Sequence, residues 1–204
     1  MELPRRSSTT TAPPEPSEPP EASEDETGAR SGTLRSLVEW GAVLVGAVVV
    51  ALVVKMFLFQ AFFIPSASMA PTLQEDDRVM VNKLSYDLHD VNRGDIIVFK
   101  RPPNEPDNDV DDLIKRVIGL PGETIEARDG RIYIDGQALA EPYLPEGTRT
   151  EVFAPETVPE GHLFMMGDNR DDSRDSRFFG PISDDLVVGR AFVRIWPLDD
   201  LTRL

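Results

Sequence analysis

One apolar run constrains this chain more than any other feature. Residues 40–54, WGAVLVGAVVVALVV, carry no charge. Extended through Lys55 as far as position 59, the run reaches roughly the 20 residues that cross a bilayer. A helix apolar on every side needs lipid or a large protein around it. A buried helix of a soluble protein is the alternative reading, yet nothing else in the chain is long enough to surround one. Lys55 stands near one end, where its stem reaches toward the headgroups. Trp40 suits the opposite interface. Arg30 and Arg35 precede the run closely, and after Lys55 the next base is Arg78. This asymmetry predicts a single-pass anchor over 34–60, with the N-terminus cytoplasmic and residues from 61 onward outside the cytoplasm.

The flanks differ from each other. Residues 1–33 include TTTAPPEPSEPPEASEDET, where no apolar face can be drawn. Such a segment buries too little surface to offset its ordering entropy, so a disordered, acidic, Pro-rich tail is expected. It lacks the basic-then-apolar order of a secretory signal. Over all 204 residues the net charge is −15, with no basic stripe of the kind that marks a nucleic-acid binder. Zero cysteines exclude disulfides, thiolate nucleophiles and thiolate metal sites.

Beyond position 76 the pattern is β. DRVMVNKL, GDIIVFK, LIKRVIGL, ETIEA, RIYIDG, HLFMMG and LVVGRAFVRIW are short runs rich in Val, Ile and Phe. RG, PG and DG turns separate them. DGRIYIDGQ has hairpin chemistry, with a glycine free to take positive φ at each turn. PDNDVDD (106–112) reads as an exposed acidic loop. The predicted fold is mainly β, an antiparallel sheet domain over 61–204 behind one N-terminal transmembrane helix.

Three clusters hold residues able to do chemistry. The first is FFIPSASMAPTL, with Ser66 and Ser68 between Pro65 and Pro71. A serine hydroxyl is a poor nucleophile without a base. His89 lies in the polar run SYDLHD and His162 follows a PEG turn, so each reads as a loop decoration; spacing alone does not exclude a Ser-His-Asp arrangement. The second cluster is LIKRVIGLPGE, where Lys115 is flanked by apolar residues. Strand alternation puts Leu113, Lys115 and Val117 on one face and Ile114, Arg116 and Ile118 on the other. A lysine ordinarily titrates near about 10.4, and bringing it to about 8 by burial takes roughly 3 kcal/mol. A lysine snorkelling off an edge strand is the competing reading. The third cluster, MGDNRDDSRDSRFFG, is either a solvated turn or a rigid loop in which arginines grip carboxylates.

Together the clusters resemble bacterial type I signal peptidases, membrane-anchored serine proteases with a Ser-Lys dyad. IPSASMAPTL, RGDIIVFKRP, LIKRVIGLPGE and GDNRDDSRDSRFFG resemble the family's motifs and stand in the family's order behind a membrane span. The likeness runs from the anchor to about Trp196 and omits the tail. It implies that Ser68 is the nucleophile and Lys115 its general base. Ser173 matches the serine that hydrogen-bonds the lysine. Ser66 matches the side-chain donor of the oxyanion hole, beside the Ser68 N–H. Asp168 and Asp175 match structural acids, with Arg116 and Arg177 as ionic partners. Ile64, Met69, Leu73 and Ile114 match the small apolar substrate pockets.

The resemblance further implies preprotein signal peptides as substrates, cut after small residues at −1 and −3. It implies the lipid bilayer and the protein translocase as partners, with no cofactor, no metal and no nucleic acid. The chain departs from the pattern in its tail, and its 126–164 region is short. Two rivals are a Ser-Lys self-cleaving repressor-type protease and an inert anchored β module. The span argues against the first, and the retained Ser68, Lys115 and Ser173 against the second.

Overall fold

The computed structural model describes residues 26–106 and 110–204, with the side chains of 26–35 and 55–57 outside the described set. Most of the expected tail and the Lys55 side chain therefore lie outside the described residues, as does the centre of the expected acidic loop. The first element is helix α1 (Glu26–Leu58). It begins before the expected start at Leu34, because ETGARSGT holds no proline and the apolar stretch can propagate helix backward through it. Within it Ser36–Val54 is long and apolar enough to cross a membrane. Its apolar side chains are exposed, Val38 and Trp40 by 71% and 72%.

The strands follow as β1 (Phe59–Phe63), β2 (Arg78–Asn82), β3 (Ile96–Lys100), β4 (Asp112–Gly119), β5 (Thr124–Arg128) and β6 (Arg131–Ile134). They continue as β7 (Gln137–Ala138), β8 (Phe153–Thr157), β9 (His162–Met166), β10 (Ile182–Ser183), β11 (Val187–Trp196) and β12 (Thr202–Arg203). Two short helices intervene, α2 (Ser85–Leu88) and α3 (Ser176–Phe179). The larger sheet runs β1-β2-β11-β3-β4-β9-β10, with β12 on β11; the smaller runs β7-β6-β5-β8. Every recorded pairing is antiparallel. The expected mainly antiparallel β fold is therefore what forms.

The first strand was not expected. FQAFF lies at the expected end of the membrane run, but its backbone pairs with β2 from Phe59↔Asn82 to Phe63↔Arg78. A short apolar run suits helix or strand equally, and here the waiting edge of β2 decides.

Each strand's alternation locates the core. In β3, Ile96 and Val98 join one cluster with Ile64, Val79 and Ile114. Ile97 and Phe99 join the opposite cluster with Val117 and Met165. A strand buried on both faces reads as the unbroken apolar run IIVF. A third cluster, around Ile118, Ile125 and Phe164, packs the smaller sheet. Both Asp-Gly hairpin turns form as expected, with φ of 56° and 79° at Asp129 and Gly130 and of 49° and 78° at Asp135 and Gly136.

Candidate active site

Ser68 sits in a single 3₁₀ turn (Ala67–Met69) entered from extended Ser66. Two bonds from the loop after β9 pin this turn. The Asn169 N–H donates to the Ser68 carbonyl at 3.1 Å, and the Asn169 amide donates to the Ala67 carbonyl at 3.2 Å. Ser68 is 8% exposed. Ser66 is exposed, and its hydroxyl lies 3.3 Å from Ser68 Oγ.

Lys115 lies on β4 opposite Ile97 of β3, in the middle of the large sheet. It is 4% exposed. Its Nζ is 2.7 Å from Ser68 Oγ and donates to the Ile114 carbonyl at 2.9 Å. Burial lowers its pKa to about 8, opposed by the charges of Asp175, Glu105 and Asp168. An edge-strand lysine reaching into water is thereby excluded: β3 and β9 flank β4 on both sides. A deprotonated amine at this distance has a lone pair able to take the hydroxyl proton.

The loop after β9 closes the site. Gly167 must be glycine, since a Cβ there would come within 2.3 Å of Ser173 Oγ and 2.4 Å of the Ser68 carbonyl oxygen. Both expected ion pairs form. Arg116 Nε and Nη2 donate to Asp168 at 2.8 and 2.6 Å. Arg177 Nε and Nη2 donate to Asp175 at 2.8 Å each. Both aspartates are 0% exposed at the side chain. Removing one partner of such a pair costs about 3–5 kcal/mol, because it strands a buried charge. Asp175 also accepts the Gly167 N–H at 3.0 Å, so this pair shapes the backbone beside Ser68.

Two expected placements differ in the structure. Ser173 is buried, but its hydroxyl has no hydrogen-bond partner among the described residues. The expected bond to Lys115 is absent, because the amine is directed to Ser68 and the Ile114 carbonyl. Met69 and Leu73 are fully buried in the core beneath the site and do not line the groove. Their place in the 3₁₀ turn and just after it directs them inward, whereas Ile64 and Ile114 do line the groove. That groove has a volume of about 360 Å³ and includes Ser66, Ser68 and Lys115. A larger cleft of about 540 Å³ lies elsewhere and is lined by His89 and His162. Neither histidine lines the Ser68 groove.

Sequence reasoning also missed braces that come together only in space. The Thr72 hydroxyl donates to Asp168 at 2.5 Å. The Arg116 guanidinium lies over the Tyr143 ring at 3.9 Å. Arg170 donates to Glu141 and to Thr150 at 2.8 Å, tying the segment before β8 to the GDNR loop. No spacing signals these contacts; only the family-like loop sequence hinted at a rigid structure there.

A family model described as "Signal peptidase, peptidase S26" matches residues 37–196. The chain belongs to the signal peptidase family. The matched range takes in Ser66, Ser68, Lys115 and Ser173, and it stops at Trp196, where the sequence likeness was expected to end. The chain is 40% identical over 162 residues to "Probable signal peptidase I-2" of Synechocystis sp., covering 79% of this chain and 74% of that protein. It is 36% identical over 174 residues to "Signal peptidase I T" of Bacillus subtilis, covering 80% and 88%. A crystal structure of a signal peptidase I from Enterococcus faecalis V583 aligns with a TM-score of 0.43 at 38% identity, covering 50% of this chain and 97% of that one.

Proposed function

We propose that this chain is a membrane-anchored serine endopeptidase that removes N-terminal signal peptides from secreted preproteins. The observation that carries this reading is the 2.7 Å approach of Lys115 Nζ to Ser68 Oγ inside a groove. Neutral Lys115 takes the Ser68 proton as the oxygen attacks the scissile carbonyl. The resulting oxyanion accepts hydrogen bonds from the Ser68 N–H and the Ser66 hydroxyl. The Lys115 ammonium then gives its proton to the leaving amine, and the peptide bond breaks. Water, deprotonated by the same amine, attacks the acyl-Ser68 ester; the ester bond breaks, the ammonium returns its proton to Ser68 Oγ, and the signal peptide leaves. Among the described residues the buried Ser173 hydroxyl has no partner, which leaves it available to orient the amine while Ser68 is acylated.

The substrate lies extended in the groove, where alternate side chains meet the wall. Ile64 and Ile114 present apolar surface there, with Met69 and Leu73 filling the space beneath. Shallow pockets of this kind favour small residues at −1 and −3. Asp168 with Arg116 and Asp175 with Arg177 are scaffold and not chemistry.

The helix that ends at Leu58 forms the anchor, with the N-terminus on the cytoplasmic side and the protease domain, from β1 onward, outside. The apolar, exposed Ser36–Val54 stretch supports the anchor, and the arginines before it support the orientation. Tethering raises the effective concentration of enzyme where a preprotein leaves the translocase at the bilayer surface.

The test is incubation of the detergent-solubilised full chain with a secretory preprotein, wild type beside Ser68→Ala. Wild type yields a mature product cut after a small residue, and Ser68→Ala yields none. Equal cleavage by both contradicts the proposal.

A further inference from the structure

We infer that Glu105, held by Arg174 at the wall of the Ser68 groove, is a positioning residue whose charge governs how readily the Lys115 amine releases its proton. The inference rests on Lys115 acting as the general base.

Three carboxylates favour the charged form of Lys115: Asp175, Glu105 and Asp168. Each is gripped by an arginine through two bonds. Asp175 is held by Arg177 and Asp168 by Arg116, as described. Glu105 accepts from Arg174 Nε at 3.0 Å and from Nη2 at 3.1 Å. The first two pairs are sealed, with both arginine side chains 9% exposed. The third is lopsided. The Glu105 side chain is 6% exposed, while that of Arg174 is 53% exposed.

This difference matters electrostatically. A sealed pair presents a fixed, nearly cancelled charge to its surroundings. In the Glu105–Arg174 pair the anion is fixed in the protein and the cation stands half in water. Field from the buried carboxylate reaches through protein, whereas the guanidinium's is weakened by solvent. Glu105 is set by a turn in which its N–H donates to the Pro102 carbonyl at 3.0 Å. It lines the same groove as Ser68 and Lys115, and so does Arg174.

The remaining charges near Lys115 do not duplicate this role. On β4 itself, Asp112 is paired at 2.8 Å with Lys100, which is also exposed, but the Asp112 side chain is 26% exposed and more open to solvent than Glu105. Glu75, after the Ser68 turn, and Asp172, in the GDNR loop, line the groove but are exposed, so solvent screens them. Ser66 and Ser68 bring no charge. Among the described residues Glu105 is therefore the most deeply buried acid on the groove whose partner is exposed.

The signs follow directly. Removing the Glu105 charge favours neutral Lys115. Removing the Arg174 charge leaves Glu105 uncompensated and favours the ammonium. The experiment is the pH dependence of kcat/KM for cleavage of a preprotein peptide by the detergent-solubilised full chain. Wild type is compared with Glu105→Gln, which keeps the side chain's shape, and with Arg174→Gln. The acid limb in Glu105→Gln is expected to move to lower pH by about half a unit or more. At pH 7 its activity relative to its own plateau then rises about threefold. The limb in Arg174→Gln moves to higher pH, and Arg174→Lys returns it toward wild type.

A pair that only braced the loop would lower activity at every pH in both variants and leave the limb in place. That result, or a shift of both variants in one direction, overturns the inference while Lys115 remains the base. A wild-type profile without an acid limb overturns the inference together with the lysine mechanism.

Discussion

The Asn169 N–H donates to the Ser68 carbonyl at 3.1 Å, and the Asn169 side chain reaches the Ala67 carbonyl at 3.2 Å. The loop after β9 thereby holds the turn that presents the Ser68 hydroxyl, although the two are far apart in sequence. Asn169→Ala keeps the backbone bond and loses the other. A small displacement of a nucleophile is costly, so kcat is expected to fall about tenfold to a hundredfold. The midpoint of the pH profile stays where it is, because the surroundings of Lys115 are intact. Steady-state kinetics across pH measure both.

The pH dependence has a definite sign. Burial lowers Lys115 to about 8, and in the proposed mechanism the reactive form is the free amine. At pH 7 only about a tenth of the molecules carry it. Activity therefore rises with pH by about tenfold per unit on the acid side and levels off above pH 8 or so. A flat profile between about pH 6 and 9 contradicts a lysine base. Stability runs the same way: the folded value of about 8 lies below the ordinary 10.5. Between those values the unfolded chain binds more protons, so folding is favoured progressively as pH rises through the window.

Ser66→Ala separates the two serines of the PSASM stretch. On the proposed mechanism it removes one oxyanion donor and leaves Ser68 and Lys115 together. The expected loss is about 10²–10³ in kcat, with KM little changed. A burst experiment on an ester or peptide substrate reads the acylation step and shows where the loss falls. A loss confined to KM contradicts the oxyanion role.

Much of the β framework was legible because the runs carried their own period and their own punctuation. DGRIYIDGQ announced its hairpin through the two Asp-Gly pairs, and GDIIVFK read as a strand, which the structure covers on both faces. FQAFF was not legible, since an apolar run continuing a membrane helix has no local signal of where helix yields to strand; β2 supplies it. Ser68 and Lys115 were singled out from the sequence, but their approach depends on β3, β4 and the GDNR loop being in register. Met69 and Leu73 show a difference in the other direction. The resemblance suggested pocket walls, while the 3₁₀ turn and the residues after it carry them into the core. The braces from Thr72, Tyr143, Glu141 and Arg170 had no sequence signature, because each joins segments that meet only after folding.

The central claim is that Lys115 is the base for Ser68. The most direct measurement is preprotein cleavage by the full chain carrying Lys115→Ala, beside wild type, at a pH above 8, with circular dichroism to verify the fold. The account predicts a loss of about 10²–10⁴-fold in a folded protein. Lys115→Ala that keeps most of the wild-type rate contradicts it.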